Sequence, residues 1–206
     1  MGSKCIRRIM WASSWRGLGT SRRKPDGLRE AGERPREAPY RQYHEGVKSL
    51  KIIRDTRRSF DLDRFLQKPL FAHLSTQSSE GPRHSPIWFL WEEEQLWFIG
   101  TTADTFPNRI LHQPACAIGI VDYDPRSGGV FHAGFRGRAE VLPYEHNRVR
   151  RLLSRYLGPN EPLWDPRFQN LGDGCVLIRF TPETAVVRDQ SYAVGEGDRE
   201  LPMPEE

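Results

Sequence analysis

Two short stretches of the sequence carry side chains suited to holding an anion. Arg83-His84-Ser85-Pro86 opens a strand candidate with a guanidinium, an imidazole and a hydroxyl. Thr101-Thr102-Ala103-Asp104-Thr105 supplies three hydroxyls and leads into a short helix that carries Arg109. A phosphate dianion needs positive charge and hydrogen-bond donors, which guanidinium groups, hydroxyls and the free N–H groups of a helix start provide. The same residue types also do plain structural work. Thr and Asp cap helices and end strands, and charged residues at the start of a strand after a turn mark a solvated edge. Trp88 offers a flat face to a ring ligand, or a large piece of core or interface. Arg136 and Arg138 flank Gly137 and point to one face of a strand, where an anion or cross-strand acids would meet them.

Other chemistries find no support in spacing. His73, His112 and His132 lack any metal-ligand pattern, so no metal is expected. Cys5, Cys116 and Cys175 are an odd, scattered set that implies no disulfide framework and points to a reducing, cytoplasmic setting. No Gly-rich phosphate loop, Ser-His-Asp order or paired-carboxylate motif stands out, so no catalytic acid, base or nucleophile is assigned. No apolar run is long enough to span a membrane, and the Arg- and Ser-rich start is a poor secretory signal. The net charge of +4 hides an asymmetry. Residues 1–50 hold 12 Lys and Arg against 5 Asp and Glu, leaving 19 basic against 22 acidic groups in the rest. The basicity therefore belongs to the N-terminal segment, and no nucleic-acid partner is expected.

The elements that must position these residues read as mainly β. Residues 1–54 are expected to be a basic, disordered extension, 55–192 the folded domain and 193–206 an acidic flexible tail. Asp61–Lys68 reads as a short helix with Asp61 as N-cap and Pro69 as stop. Strands are expected at Leu70–Ser78, Pro86–Trp91, Leu96–Thr101, Ala115–Tyr123, Val130–Leu142, Cys175–Phe180 and Thr184–Asp189. Short helices fall at Asp104–His112 and Glu145–Leu157, the latter with Val149, Leu152, Leu153 and Tyr156 at helical spacing. Pro159–Gly174 reads as a long loop anchored by Trp164, Pro166 and Phe168. Gly134 and Gly137 inside a strand mark a bulge, a bend, or the close approach of another backbone or a ligand. The fold class is α+β, an antiparallel split β-barrel of six to seven strands with a few short helices.

The order of several motifs resembles a known plan. Pro86-Ile87-Trp88-Phe89 closes the second strand, and Leu96-Trp97-Phe98-Ile99-Gly100-Thr101 follows an acidic turn. A short helix then leads through His112-Gln113-Pro114 into Ala115-Cys116-Ala117, and a later strand carries Phe135-Arg136-Gly137-Arg138-Ala139. Together these resemble the FMN-binding split β-barrels of the pyridoxamine 5′-phosphate oxidase-like superfamily, though not the true oxidase, whose basic C-terminal segment is missing. The resemblance implies a homodimer with flavin sites at the interface and an oxidoreductase acting on a small substrate. It also implies a cofactor set of Arg83, His84, Ser85, Pro86, Trp88, Thr101, Thr102, Thr105 and Arg109. The sequence departs from the plan at one place. Phe106 stands where many members carry a phosphate-binding Lys, which leaves Arg109 as the first candidate for that role. The departure keeps open a deazaflavin or haem relative on the same fold. A non-catalytic flavin-binding dimer remains the reading from a different class.

Overall fold

A computed structural model describes residues 50–56, 59–101, 104–169, 171–172 and 174–195. Eight strands alternate with four short helices. The order is β1 (Lys51–Thr56), α1 (Leu62–Leu66), β2 (Ala72–Ser78), β3 (Gly81–Ile87), β4 (Leu90–Glu92), β5 (Gln95–Thr101) and α2 (Thr105–His112). Then come β6 (Ala115–Asp124), β7 (Gly129–Pro143), α3 (His146–Leu157), a 3-10 turn (Glu161–Leu163), α4 (Pro166–Gln169) and β8 (Cys175–Asp189).

The strands form one sheet in the order β3-β2-β6-β7-β8-β5-β4, with β1 added in parallel against β8. The other pairings are antiparallel. β7 and β8 are 15 residues long and belong to both halves of the split barrel. Their first and last portions pair with different neighbours, β6 and β1 at one end and β5 at the other. The path ends at β3 and β4, so the sheet curls without closing.

The bend between the halves has a definite cause. Arg136 pairs with Thr184 but Gly137 pairs with Pro182, so Glu183 is left over as a bulge. A Cβ on Gly137 would sit 2.1 Å from the Thr181 carbonyl oxygen, so only glycine fits there. Pro182, which cannot donate to a ladder, is tolerated because it sits at this irregularity.

Alternation along the strands builds the main core on the concave side. Leu74, Ile87, Phe89, Phe98, Phe135 and Phe180 are buried there, closed over by Phe65 and Leu66 of α1 and by Phe106 and Ile110 of α2. Side chains of this size each contribute about 1.5–3 kcal/mol on burial. A second cluster lies on the other face, where Val149, Leu152 and Leu153 of α3 pack on Trp97 and Leu177 with Trp164 and Phe168. The Tyr156 hydroxyl joins the two units. It accepts from Phe89 N at 3.0 Å and donates to Leu70 O at 2.7 Å. Asp61 caps α1 as expected, its Oδ1 accepting from Arg64 N at 2.7 Å.

The structure differs from the sequence expectations in four places, one being the loop expected at Pro159–Gly174, which holds the 3-10 turn and α4. A strand occupies Lys51–Thr56, so the boundary expected at residue 54 falls inside an element. The strand expected at Pro86–Trp91 is two strands, β3 ending at Ile87 and β4 beginning at Leu90. The pair expected at Cys175–Phe180 and Thr184–Asp189 is one strand that passes through the bulge. Among the described residues no helix is long and apolar enough to cross a membrane.

Candidate functional site

The site candidates hang on the β2–β3 hairpin and on α2, and the hairpin's register decides which of them can meet. Thr76 pairs with Arg83, Ser75 with His84, Leu74 with Ser85 and His73 with Pro86. Paired residues share a face and successive residues alternate. Arg83 and Ser85 therefore stand with the buried Thr76 and Leu74, on the side of α2. His84 and Pro86 stand with His73 and Ser75 on the outer face.

On the α2 side, four residues converge. Arg109 reaches back across the core edge, its Nε donating to Thr76 Oγ1 at 2.7 Å and its Nη1 to Thr105 Oγ1 at 2.8 Å. Its pKa falls below the usual arginine value, first through burial and then through the nearby Arg83 charge. Arg83 pairs with Glu80 at the exposed hairpin turn, a surface contact of small worth. Among the described residues Arg109 has no carboxylate partner. Two guanidinium charges thus lie near each other, with two hydroxyls at Arg109 and, among the described residues, an acid at Arg83 alone.

The turn before α2 is built by Thr101 and Asp104. Asp104 Oδ2 accepts from Thr101 N at 2.8 Å and from Thr101 Oγ1 at 3.0 Å, and Thr101 is 4 % exposed. The Asp104 carboxylate is turned back to the strand and makes no cap bond to α2. Thr101 therefore shapes the start of α2, and its hydroxyl is already engaged. Phe106, in the position of the missing Lys, is buried against Phe98 with ring centroids 6.2 Å apart. Arg109, less than one turn further on, brings its charge back to this corner. Thr102 lies outside the described residues.

Two expected candidates sit elsewhere. The Trp88 ring stacks on Tyr156 at 4.7 Å and 5° and on Phe168 at 5.5 Å, in the second core. The His84 ring stacks on His73 at 5.0 Å, with His73 Nδ1 and His84 Nε2 2.8 Å apart, so one ring donates and the other accepts. The His73 pKa is lowered, by burial first and then by His84. Arg109 thus bonds Thr76 and Thr105 with the Arg83 charge near by, Ser85 lies on the same face, and His84, Pro86 and Trp88 lie apart from them. Thr76 is the member that sequence reading missed. Its signal was a hydroxyl in an otherwise apolar alternating series, Leu70, Ala72, Leu74, Thr76. Among the described residues no three of His, Cys, Asp and Glu gather as a metal-holding group. Arg136 and Arg138 make no ion pair among the described residues either.

No protein-family model matches the chain, and no curated protein does. Solved structures do. A conserved hypothetical protein from Mycobacterium tuberculosis matches with a TM-score of 0.54 at 17% identity, over 66% of this chain and 92% of that one. A flavocytochrome from Azotobacter vinelandii matches with a TM-score of 0.52 at 15% identity, over 68% of this chain and 72% of that one. A haem storage protein from Vibrio cholerae matches with a TM-score of 0.50 at 17% identity, over 63% and 92%. At such identities the likeness is one of fold. The hairpin order, the two long shared strands and the unclosed sheet give this chain the pyridoxamine 5′-phosphate oxidase-like split β-barrel fold.

Proposed function

We propose that the chain binds FMN, as a homodimer, and acts as a flavin-dependent oxidoreductase on a small substrate. The observation that carries this reading is Arg109 bonded to the Thr76 and Thr105 hydroxyls with the Arg83 charge close by and, among the described residues, no acid at Arg109. Such a corner suits a phosphate monoester, which supplies the negative charge that the two guanidinium groups lack. The start of α2, left without a side-chain cap, adds backbone donors on the same side. The donor set fits the flavin phosphate even though Phe106 replaces the customary Lys. Arg83, Thr105 and Arg109 would hold that phosphate, and the outer strand edge at Ser85-Pro86 offers backbone for the ring. A bound flavin supplies hydride chemistry, while the protein binds, orients and shields. No side chain here need serve as acid or base.

The test is a titration with FMN and with riboflavin, which lacks the phosphate, on the wild type and on Arg109→Gln and Arg83→Gln. Loss of a charged hydrogen bond predicts FMN affinity about tenfold to a hundredfold weaker in Arg109→Gln, with riboflavin affinity unchanged. Equal losses for both ligands, or none, would remove the phosphate corner from the argument. The absorbance of the purified protein separates flavin from deazaflavin and from haem, which one neighbour is named for storing. Tight flavin binding without turnover of NADH or NADPH would favour a non-catalytic flavin-binding protein.

A further inference from the structure

Neither His73 nor His84 serves the Arg83–Arg109 corner, and the hairpin brings the two imidazoles into contact on its outer face. They are not direct register partners. His73 pairs with Pro86 and His84 with Ser75, so the two rings lie on a diagonal across β2 and β3. Strand twist draws one diagonal pair of a hairpin together. His73 Nδ1 and His84 Nε2 come within 2.8 Å, with ring centroids 5.0 Å apart and planes 16° from parallel. The two ring nitrogens therefore point at one another. β3 ends the sheet path, and both histidines are exposed, so the pair is open to solvent. Eleven residues separate them in the chain, a spacing that carries no metal motif in the sequence.

A hydrogen bond between exposed imidazoles contributes little, because each ring can bond water instead. The same two nitrogens are well separated for a shared metal ion. Imidazole nitrogen stands about 2.0–2.1 Å from a bound divalent ion such as zinc. Two such nitrogens are about 2.9 Å apart at a right angle on the metal and about 3.4 Å apart at the tetrahedral angle. The observed 2.8 Å matches the right angle, the geometry of tetragonal Cu(II) rather than of tetrahedral Zn(II). Cu(II) is also the divalent first-row ion that nitrogen ligands hold most tightly. A ligating ring must be neutral, and burial and then the His84 charge lower the His73 pKa, which favours that form. The donating ring moves its proton to its far nitrogen, and both rings turn on the broad χ2 torsion to aim at one ion. Among the described residues no third His, Cys, Asp or Glu joins them, so the arrangement is an open chelate that water completes, not a closed structural centre.

We propose that His73 and His84 form a surface chelate for a divalent metal ion of tetragonal preference, Cu(II) ahead of Zn(II), held through His73 Nδ1 and His84 Nε2. The proposal goes beyond the flavin reading and stands without it, because strand alternation sets both rings on the opposite face of the hairpin from Arg83.

The experiment is calorimetric titration of the full chain with CuCl2 and, separately, with ZnCl2, in a weakly coordinating buffer at neutral pH. It is run on the wild type, His73→Gln, His84→Gln and, as control, His146→Gln, an exposed histidine on α3. Both ligand histidines are exposed, so neither substitution touches the core. Pulsed electron paramagnetic resonance at one equivalent of copper counts ligated imidazoles through their remote nitrogens. The wild type should bind one copper through two imidazoles, and zinc more weakly. Loss of a direct ligand should cost at least what loss of an outer partner does, so copper affinity should fall by about tenfold to a hundredfold in His73→Gln and in His84→Gln. One imidazole should remain in each of these two, and His146→Gln should bind as the wild type does. The proposal is overturned if His73→Gln or His84→Gln keeps the wild-type affinity, if His146→Gln loses as much as they do, if wild-type copper carries fewer than two imidazoles, or if zinc binds as tightly as copper.

Discussion

Cys116 shows how one buried side chain ties stability to pH. It is 8 % exposed, and burial pushes its thiol up to about 11, with the Arg109 charge pulling the other way. The folded thiol keeps its proton at a pH where the unfolded chain has lost it. Its contribution is therefore complete below the ordinary thiol range and is lost as pH rises through about 11. Iodoacetamide at about pH 8 should label Cys116 slowly in the folded protein and quickly in urea, since the thiolate is the nucleophile. Thermal melts should fall more steeply above about pH 9 in the wild type than in Cys116→Ala. His73 carries the opposite sign. Its pKa is lowered, so its contribution is present above the ordinary histidine range and lost as pH falls through the lowered value. Melts taken from neutral to mildly acidic pH should fall less in His73→Gln than in the wild type; parallel curves would remove His73 from the account. Legibility at this scale was uneven. Arg109 stood out in the sequence because no Lys precedes it, and it does reach Thr76 and Thr105. The adjacent Arg83 and His84 read as one patch, but a strand sends neighbours to opposite faces. Trp88 reads equally as ring platform or core until Tyr156 and Phe168, far along the chain, are seen against it.

At the scale of elements, turns and bulges set the geometry and give sharp tests. The β4–β5 hairpin turns through Glu93 and Glu94, both with positive φ, at 56° and 57°. A two-residue turn of this kind favours Asn-Gly, and a side chain there costs about 1–2 kcal/mol per residue. Glu94→Gly should therefore raise stability by about 1 kcal/mol in denaturant unfolding, with the Arg83–Arg109 corner unchanged. Gly137→Ala should act the other way, because its Cβ would meet the Thr181 carbonyl oxygen at 2.1 Å. A loss of about 2–4 kcal/mol is expected, within the range of steric conflicts at a fixed backbone. An unchanged midpoint would mean that the bulge relaxes freely. The sequence marked both places, with an acidic turn at Glu92–Gln95 and glycines inside a strand. It marked α1 and α3 through Asp61 and the spacing of Val149, Leu152 and Leu153. It did not mark β1, whose four leading residues, Lys51, Ile52, Ile53 and Arg54, are exposed and show no alternation. That strand exists through its pairing with β8, more than a hundred residues away, which no local pattern encodes. β3 was placed too late because its first residues, Gly81, Pro82 and Arg83, lack strand propensity and are held by β2.

For the whole molecule, the sheet's outer face matters most. Ile53 is 49 % exposed on β1, and Val121 and Tyr123 are 43 % and 55 % exposed along β6. Apolar side chains grouped on a sheet face support the proposed homodimer, in which a second copy removes them from water. The charge distribution shapes that contact. Arg136, Arg138 and Arg188 on the same face would meet their own copies across a twofold axis unless the two chains are offset or an anion lies between them. Light scattering at low micromolar concentration should give a mass twice that of one chain. Val121→Arg adds a further cation beside His132 and Arg188 and should shift the mass toward one chain while the melting curve stays cooperative. A wild-type chain that stays monomeric at every concentration would remove the dimer from the functional reading. The Arg83–Arg109 corner would then have to hold its ligand with one chain's residues alone. A dimer indifferent to Val121→Arg would place the interface elsewhere.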